Sequence, residues 1–190
     1  MEKKYLALLR GINVGGRNKL VMSDLRQLAA SLGHGNVVTY IQSGNLIFSS
    51  GRGDTDALAD ELDVEIASQL IVRPAVVVVS ATDLRQVIAA NPFPDVTDPK
   101  GLHVVFRRHE LDGAGHAAVT AAVRTARQAG SQDDAVVVGR TLYLRTPGGL
   151  GRSDLAAELG RSAAQVAGTA RNWATVTRLM SMLAEAEHGV

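Results

Sequence analysis

Apolar and polar positions change period along the chain, and each change marks a new element. Tyr5 to Leu9 is a continuous apolar run, the pattern of a strand buried on both faces. After a loop with Gly11, Gly15 and Gly16, apolar positions move to helical spacing at Leu25, Leu28, Ala29 and Leu32. Ser23 is the predicted N-cap of that helix and Gly33 is placed to close it. Val37 to Ile41 and Leu46 to Phe48 are strand-like on either side of Gln42-Ser43-Gly44-Asn45, a tight connection in which Gly44 or Asn45 can take positive φ; a hairpin is predicted. Leu58, Leu62, Ile66 and Leu70 then repeat every four residues as one helix face, and Pro74 opens the run Ala75 to Val79. The first 80 residues read β-α-β-β-α-β.

The second half repeats most of that plan. Thr82 is the predicted cap of a short helix with Leu84, Val87 and Ile88, which Asn91-Pro92-Phe93-Pro94 must end, because proline disfavours helix in the residue before it. A boundary is expected here, giving an N-terminal subdomain with its linker helix at 1–98 and a C-terminal subdomain at 99–190. Leu102, Val104 and Phe106 alternate with neighbours as a strand, and an Ala-rich helix runs on to Gly130. Ala135 to Val138 meets Thr141 to Arg145 across Gly139-Arg140 as a second hairpin. Ser153 is placed to cap a helix with Leu155 and Leu159, a short strand is expected around Val166 to Thr169, and Asn172 is placed to cap the last helix. Two copies of this order predict an α+β protein of two ferredoxin-like subdomains, each a split β-α-β or alpha-beta plait.

Composition narrows the chemistry. With 46% hydrophobic residues among 190 the chain can bury a core, and with Cys 0 it has no disulfide, thiolate metal ligand or thiol nucleophile. The apolar runs are far shorter than the roughly 20 residues that span a bilayer. Lys3 and Lys4 imitate a signal peptide's start but Arg10 ends the apolar stretch, so no membrane association and a cytoplasmic location are expected. The net charge of +1 hides two basic segments, +4 over residues 1–19 and +4 over 140–178, around an acidic middle of −5 over 50–100. If the basic ends meet, they form a local positive field suited to an anion. At 4% aromatic the chain is a poor stacking platform, which disfavours nucleic acid. The five histidines show no ligand spacing, so no metal site is predicted.

The densest stretch is Arg10-Gly11-Ile12-Asn13-Val14-Gly15-Gly16-Arg17-Asn18-Lys19, a loop after a strand that offers glycine backbone, two amides and three cations. Arg17-Asn18 stands where a P-loop needs Lys-Ser/Thr, and the glycine spacing also misses the dinucleotide fingerprint; a generic anion nest remains. Ser43 lacks the glycines of a nucleophile elbow. Candidate ligand-binding residues are Arg10, Asn13, Gly15, Gly16, Arg17, Asn18 and Lys19 in the loop, Gln42, Ser43 and Asn45 in the turn, and Arg152, Ser153, Arg171 and Asn172 near the end of the chain. A phosphate-bearing or other anionic ligand held by these groups is the leading reading. The same residues fit an enzyme of unknown reaction, although neither glycine-rich motif contains His, Asp or Glu, and they also fit an architectural role in which Asn13 and Asn18 tie the loop to itself. Cofactor and oligomeric state are not specified by the pattern.

Leu8-Leu9-Arg10-Gly11-Ile12-Asn13-Val14-Gly15-Gly16, Tyr40-Ile41-Gln42-Ser43-Gly44-Asn45, Asn91-Pro92-Phe93, Gly151-Arg152-Ser153 and Thr169-Ala170-Arg171-Asn172-Trp173 together resemble one family, the bacterial domain-of-unknown-function 1697 family. The resemblance implies two ferredoxin-like subdomains and no particular activity. Such sequences commonly carry Lys after the Gly-Arg-Ser motif, where this chain has Asp154.

Overall fold

The computed structural model describes residues 2–15 and 18–188. Strand β1 (Lys3–Arg10) is followed by helix α1 (Met22–Ser31), the hairpin strands β2 (Gly35–Tyr40) and β3 (Asn45–Ser50), helix α2 (Thr55–Gln69) and strand β4 (Ala75–Ser80). Among the described residues these strands form one antiparallel sheet in the order β2-β3-β1-β4. β1 and β2 therefore run parallel with β3 inserted between them, and β3 and β4 run parallel with β1 inserted. Two interleaved β-α-β crossovers of this kind make a ferredoxin-like subdomain.

Helix α3 (Ala81–Ala89) leads to strand β5 (Leu102–Phe106), helix α4 (Gly113–Gln128), hairpin strands β6 (Asp134–Val138) and β7 (Thr141–Arg145), and a single 3-10 turn at Leu150–Arg152. Helices α5 (Asp154–Arg161) and α6 (Ala163–Val166), strand β8 (Thr169–Asn172) and helix α7 (Trp173–His188) complete the order. The second sheet runs β6-β7-β5-β8, again antiparallel between neighbours, so its topology repeats the first. The protein is thus α+β with two ferredoxin-like sheets. By spatial proximity the chain divides into two compact units, Met1–Gln86 with Arg178–Val190, and Val87–Thr177.

In the first unit Tyr5, Ala7 and Leu9 of β1 turn to the helix face, where they join Leu25 and Leu28 of α1, Phe48 of β3 and Leu58, Leu62 and Ile66 of α2. Leu6 and Leu8 point the other way and are equally buried, as the continuous run predicts. Leu25 is fully enclosed, so Leu25→Ala removes its transfer free energy and opens a cavity, a loss of about 2–5 kcal/mol. In the second unit Val105, Leu142 and Leu144 meet Val119, Ala122 and Ala126 of α4 and Leu155 and Leu159 of α5.

Three local expectations are corrected. Helix α1 begins at Met22, with Val21 rather than Ser23 as its flanking residue, because Met22 is buried and the Asp24 and Leu25 N–H groups already bond the Val21 carbonyl. The cap of α3 is Ser80 rather than Thr82. Ser80 Oγ accepts from the Asp83 N–H at 3.1 Å while the Asp83 carboxylate accepts from the Ser80 N–H at 3.0 Å, a reciprocal pair of bonds at the helix start. The last strand is Thr169–Asn172 rather than 166–169, and its inward positions are Thr169 and Arg171, polar residues that hide the alternation.

Candidate functional site

The loop after β1 is held by its asparagines. Asn13, at φ +53°, donates from Nδ2 to the carbonyls of Leu20 and Gln42, both at 2.9 Å, and accepts the Leu20 N–H on Oδ1 at 2.9 Å. Asn18 donates to the Gly11 carbonyl at 2.9 Å, and its own carbonyl accepts the Asn13 N–H at 3.1 Å. Gly11 and Gly15 have positive φ, and Gly15 is exposed. Gly16 and Arg17 lie outside the described residues.

The hairpin turn is tied to the same loop. Gly44 sits at φ +75° with its carbonyl bonded by the Leu9 N–H at 2.8 Å, and a Cβ built on it would come within 2.7 Å of Leu9 Cβ and of Ile12 Cδ1. Only glycine fits this conformation and this space. The second residue of the turn segment at positive φ is Ile41, at +48°, rather than Asn45. Asn45 is fully buried, its Nδ2 donating to the Tyr40 carbonyl at 3.0 Å and to Ser43 Oγ at 2.9 Å. Asn13, Asn18, Ser43 and Asn45 thus share hydrogen bonds within the loop and turn.

Beside this scaffold lies an open groove of about 650 Å³ whose lining includes Asn13, Lys19, Leu20, Val21, Met22, Ser23, Arg26 and Gln42. Three of the predicted residues, Asn13, Lys19 and Gln42, are gathered here; Arg10 is exposed at the end of β1 and does not line it. The side chains of Lys19 and Gln42 make no hydrogen bond or ion pair among the described residues. Arg26 was not among the predicted residues. It projects from the exposed face of α1, three residues after Ser23, and its Nη1 donates to Thr39 Oγ1 of β2 at 2.7 Å. Its place on the polar face of α1 does not single it out in the sequence; the packing of α1 beside β2 does. The N-terminus of α1 opens into the same groove and among the described residues no side chain caps it, unlike α2, α4 and α5, capped by Asp54, Asp112 and Ser153.

The remaining candidates belong to the second unit. Ser153 Oγ caps α5 by accepting the Ala156 N–H at 2.9 Å and donates to the buried Asp133 carboxylate at 2.7 Å, so an acid already holds the place an anion would take. Asn172 caps α7, its Oδ1 accepting the Thr175 N–H at 2.8 Å. Arg171 is buried, with Nη1 donating to Thr169 Oγ1 at 2.9 Å and to the Ala170 carbonyl at 2.8 Å. Desolvation pushes its pKa down to about 10, which leaves it charged at neutral pH. Arg152 is exposed. Tyr143 is buried with its hydroxyl bonded to the Val87 carbonyl at 2.7 Å, and burial pushes its pKa up to about 12.

Among the described residues two histidines are perturbed, one in each unit. His34 packs against Phe48 with ring centroids 4.5 Å apart and Nε2 3.3 Å from Glu61 Oε2. Burial pushes its pKa down, Glu61 opposes that shift, and Arg52, itself paired with Glu61, adds to it. His103 on β5 is pushed down by burial alone. Among the described residues no group of three or more His, Asp or Glu side chains is placed to hold a metal ion, and no helix is long and apolar enough to cross a membrane.

A family model described as protein of unknown function (DUF1697) matches residues 2–143, which include the glycine-rich loop, the hairpin turn and the Pro-rich segment. The chain belongs to the DUF1697 family. A solved structure similar to this DUF1697 chain is that of the conserved bacterial protein SP0830 from Streptococcus pneumoniae. The two are 24% identical with a TM-score of 0.76 over 96% of this chain and 99% of that one, a likeness of fold. No curated protein matches the sequence.

Proposed function

We propose that the protein binds a small anionic ligand in the groove at the start of α1, with Lys19 and Arg26 supplying charge, Gln42 an orienting hydrogen bond and the Met22 and Ser23 N–H groups of α1 a cradle. The observation that carries this reading is the uncapped start of α1 opening between two cations. Free N–H groups and the positive end of the helix dipole favour negative charge there, and both basic side chains add to it. The asparagines that tie the loop and turn keep this frame rigid, so little ordering is needed on binding. The mostly apolar lining from Leu20, Val21 and Met22 suits an anion attached to an apolar body rather than a bare ion.

The test is a thermal-shift screen with carboxylates, phosphate monoesters and sulfates. A ligand at about 100 times its Kd adds roughly 2.7 kcal/mol and raises Tm by about 5–10 °C. Lys19→Gln and Arg26→Gln each weaken such a ligand by roughly 10- to 150-fold, the loss of one charge-assisted hydrogen bond. Asp24→Asn, which removes the one acid in the first turn of α1, tightens it. Lys3→Gln with Arg73→Gln, exposed charges outside the groove, leaves the shift unchanged. The absence of any shift across the three anion classes refutes the reading.

A further inference from the structure

Sheet edges present unpaired backbone groups, and among the described residues three of the four edges are short or interrupted. β2 is bulged between Gly35 and Val38, with Asn36 at φ +49°. On β4 the Val76 N–H is met by Asp63 Oδ1 of α2 at 2.9 Å. β8 is four residues long. β6 differs: its five residues hold unbroken register with β7 and include neither Pro nor Lys. The two-residue turn pairs Val138 with Thr141, so alternation along the ladder turns the backbone groups of Ala135 and Val137 outward. Asp134 Oδ1 meets the Ala135 N–H at 2.9 Å, which leaves the Ala135 carbonyl and both polar groups of Val137 at the edge.

Beside this edge a groove of about 670 Å³ runs between β6 and α4, lined by Val119 and Val123 and carrying Arg124 and Arg127. Arg127 holds both carboxylate oxygens of Asp134 at 2.9 Å. Arg124 is exposed and makes no hydrogen bond or ion pair among the described residues. The α4 sequence contains no acid to neutralise it.

We propose that the groove between β6 and α4 takes an extended acidic segment of a partner protein, added to this sheet as a fifth strand with an acidic side chain against Arg124. Backbone pairing to Val137 supplies affinity, and side chains on alternate positions supply selectivity. Alternate residues of a strand stand ~6.6 Å apart on one face, so a segment that lays an apolar side chain over Val119 and Val123 brings the next one to Arg124. A second copy of this chain is the poorer occupant. Pairing β6 with itself lays α4 beside α4 and brings the Arg124 side chains of both copies to one seam, with no acid on either helix to meet them.

The test is an amide NMR titration of the full chain with a peptide of roughly nine residues that repeats Val-Thr-Glu-Thr, so that valine and glutamate follow one another on the same face of the strand. Saturable shifts are expected at Ala135 to Val138 and around Arg124. A valine–lysine analogue and a fully N-methylated valine–glutamate analogue should each bind at least about tenfold more weakly. Arg124→Glu, at an exposed side chain without a partner, should leave folding intact and reverse the preference between the glutamate and lysine peptides. Equal binding of the two peptides, indifference to N-methylation, or shifts confined to other regions overturn the proposal. So do β6 amides that move with protein concentration alone, which identify a second copy as the occupant.

Discussion

The two sheets share one topology and differ in what joins the first strand to the first helix. Eleven residues, 11–21, separate β1 from α1, whereas six, 107–112, separate β5 from α4. The short connection ends in Asp112, whose carboxylate caps α4 by accepting the Gly115 N–H at 2.7 Å. The long one ends in Val21 and leaves α1 uncapped. Six residues are enough to close this crossover, so the extra five serve something other than topology. Among its described residues Asn13 and Asn18 tie the loop to itself and to the hairpin turn, and Lys19 stands just ahead of the helix start.

Three measurements bear on this comparison. The largest difference is expected between Gly44→Ala and Gly139→Ala, the same change at positive φ in the two hairpin turns. Backbone strain of about 1–2 kcal/mol is common to both. At Gly44 the new methyl also collides with Leu9 Cβ, which cannot swing away, whereas at Gly139 the nearest atom is Glu110 Oε1 at 3.8 Å. Urea denaturation should give a loss of about 3 kcal/mol or more for Gly44→Ala and about 1 kcal/mol for Gly139→Ala; equal losses would break the claim that the first turn is locked to its loop. The next is Asn13→Ala, which deletes three hydrogen bonds and should cost about 2–3 kcal/mol, against about 1 kcal/mol for the cap deletion Asp112→Ala. A loss at Asn13 no larger than at Asp112 would mean the long loop is held by other means.

A smaller effect separates the units by pH. Burial lowers the pKa of His34 in one and His103 in the other below their ordinary value of 6.5, so the unfolded chain binds protons more readily than the native one. The stability of the neutral rings is complete above 6.5 and is lost as pH falls from there through the lowered native values. The urea midpoint should therefore drop between about pH 7.5 and about pH 5.5. Because Glu61 resists the shift at His34, Glu61→Gln should move the His34 titration, read by NMR, to still lower pH and leave His103 in place.

Strands that the core buries on both faces were plain in the pattern, because Tyr5 to Leu9 and Ala75 to Val79 leave no polar face to explain. The hairpins were equally plain from their turn residues. What the pattern hid were positions where tertiary burial overrides residue type. Arg171 occupies an inward strand position that an apolar residue would normally take, and Met22 draws the start of α1 ahead of its best capping residue. The site was half legible for a related reason. The motifs marked the residues that build the loop and turn, yet a sequence cannot separate an amide that bonds its own chain from one that waits for a ligand. Asn13 and Asn45 proved to be of the first kind, and Arg26 became visible only once α1 had a register against β2.

The first unit is not continuous in sequence: residues 178–190 complete what residues 1–86 begin. Synthesis of the intervening residues 87–177 at 5–20 residues per second takes roughly 5–18 s. During that interval the N-terminal unit is without residues 178–190, whereas the second unit, whose residues are contiguous, is complete as soon as residue 177 is made. The order of folding on the ribosome should then be the reverse of the order of translation, with chaperone contact concentrated on the N-terminal half.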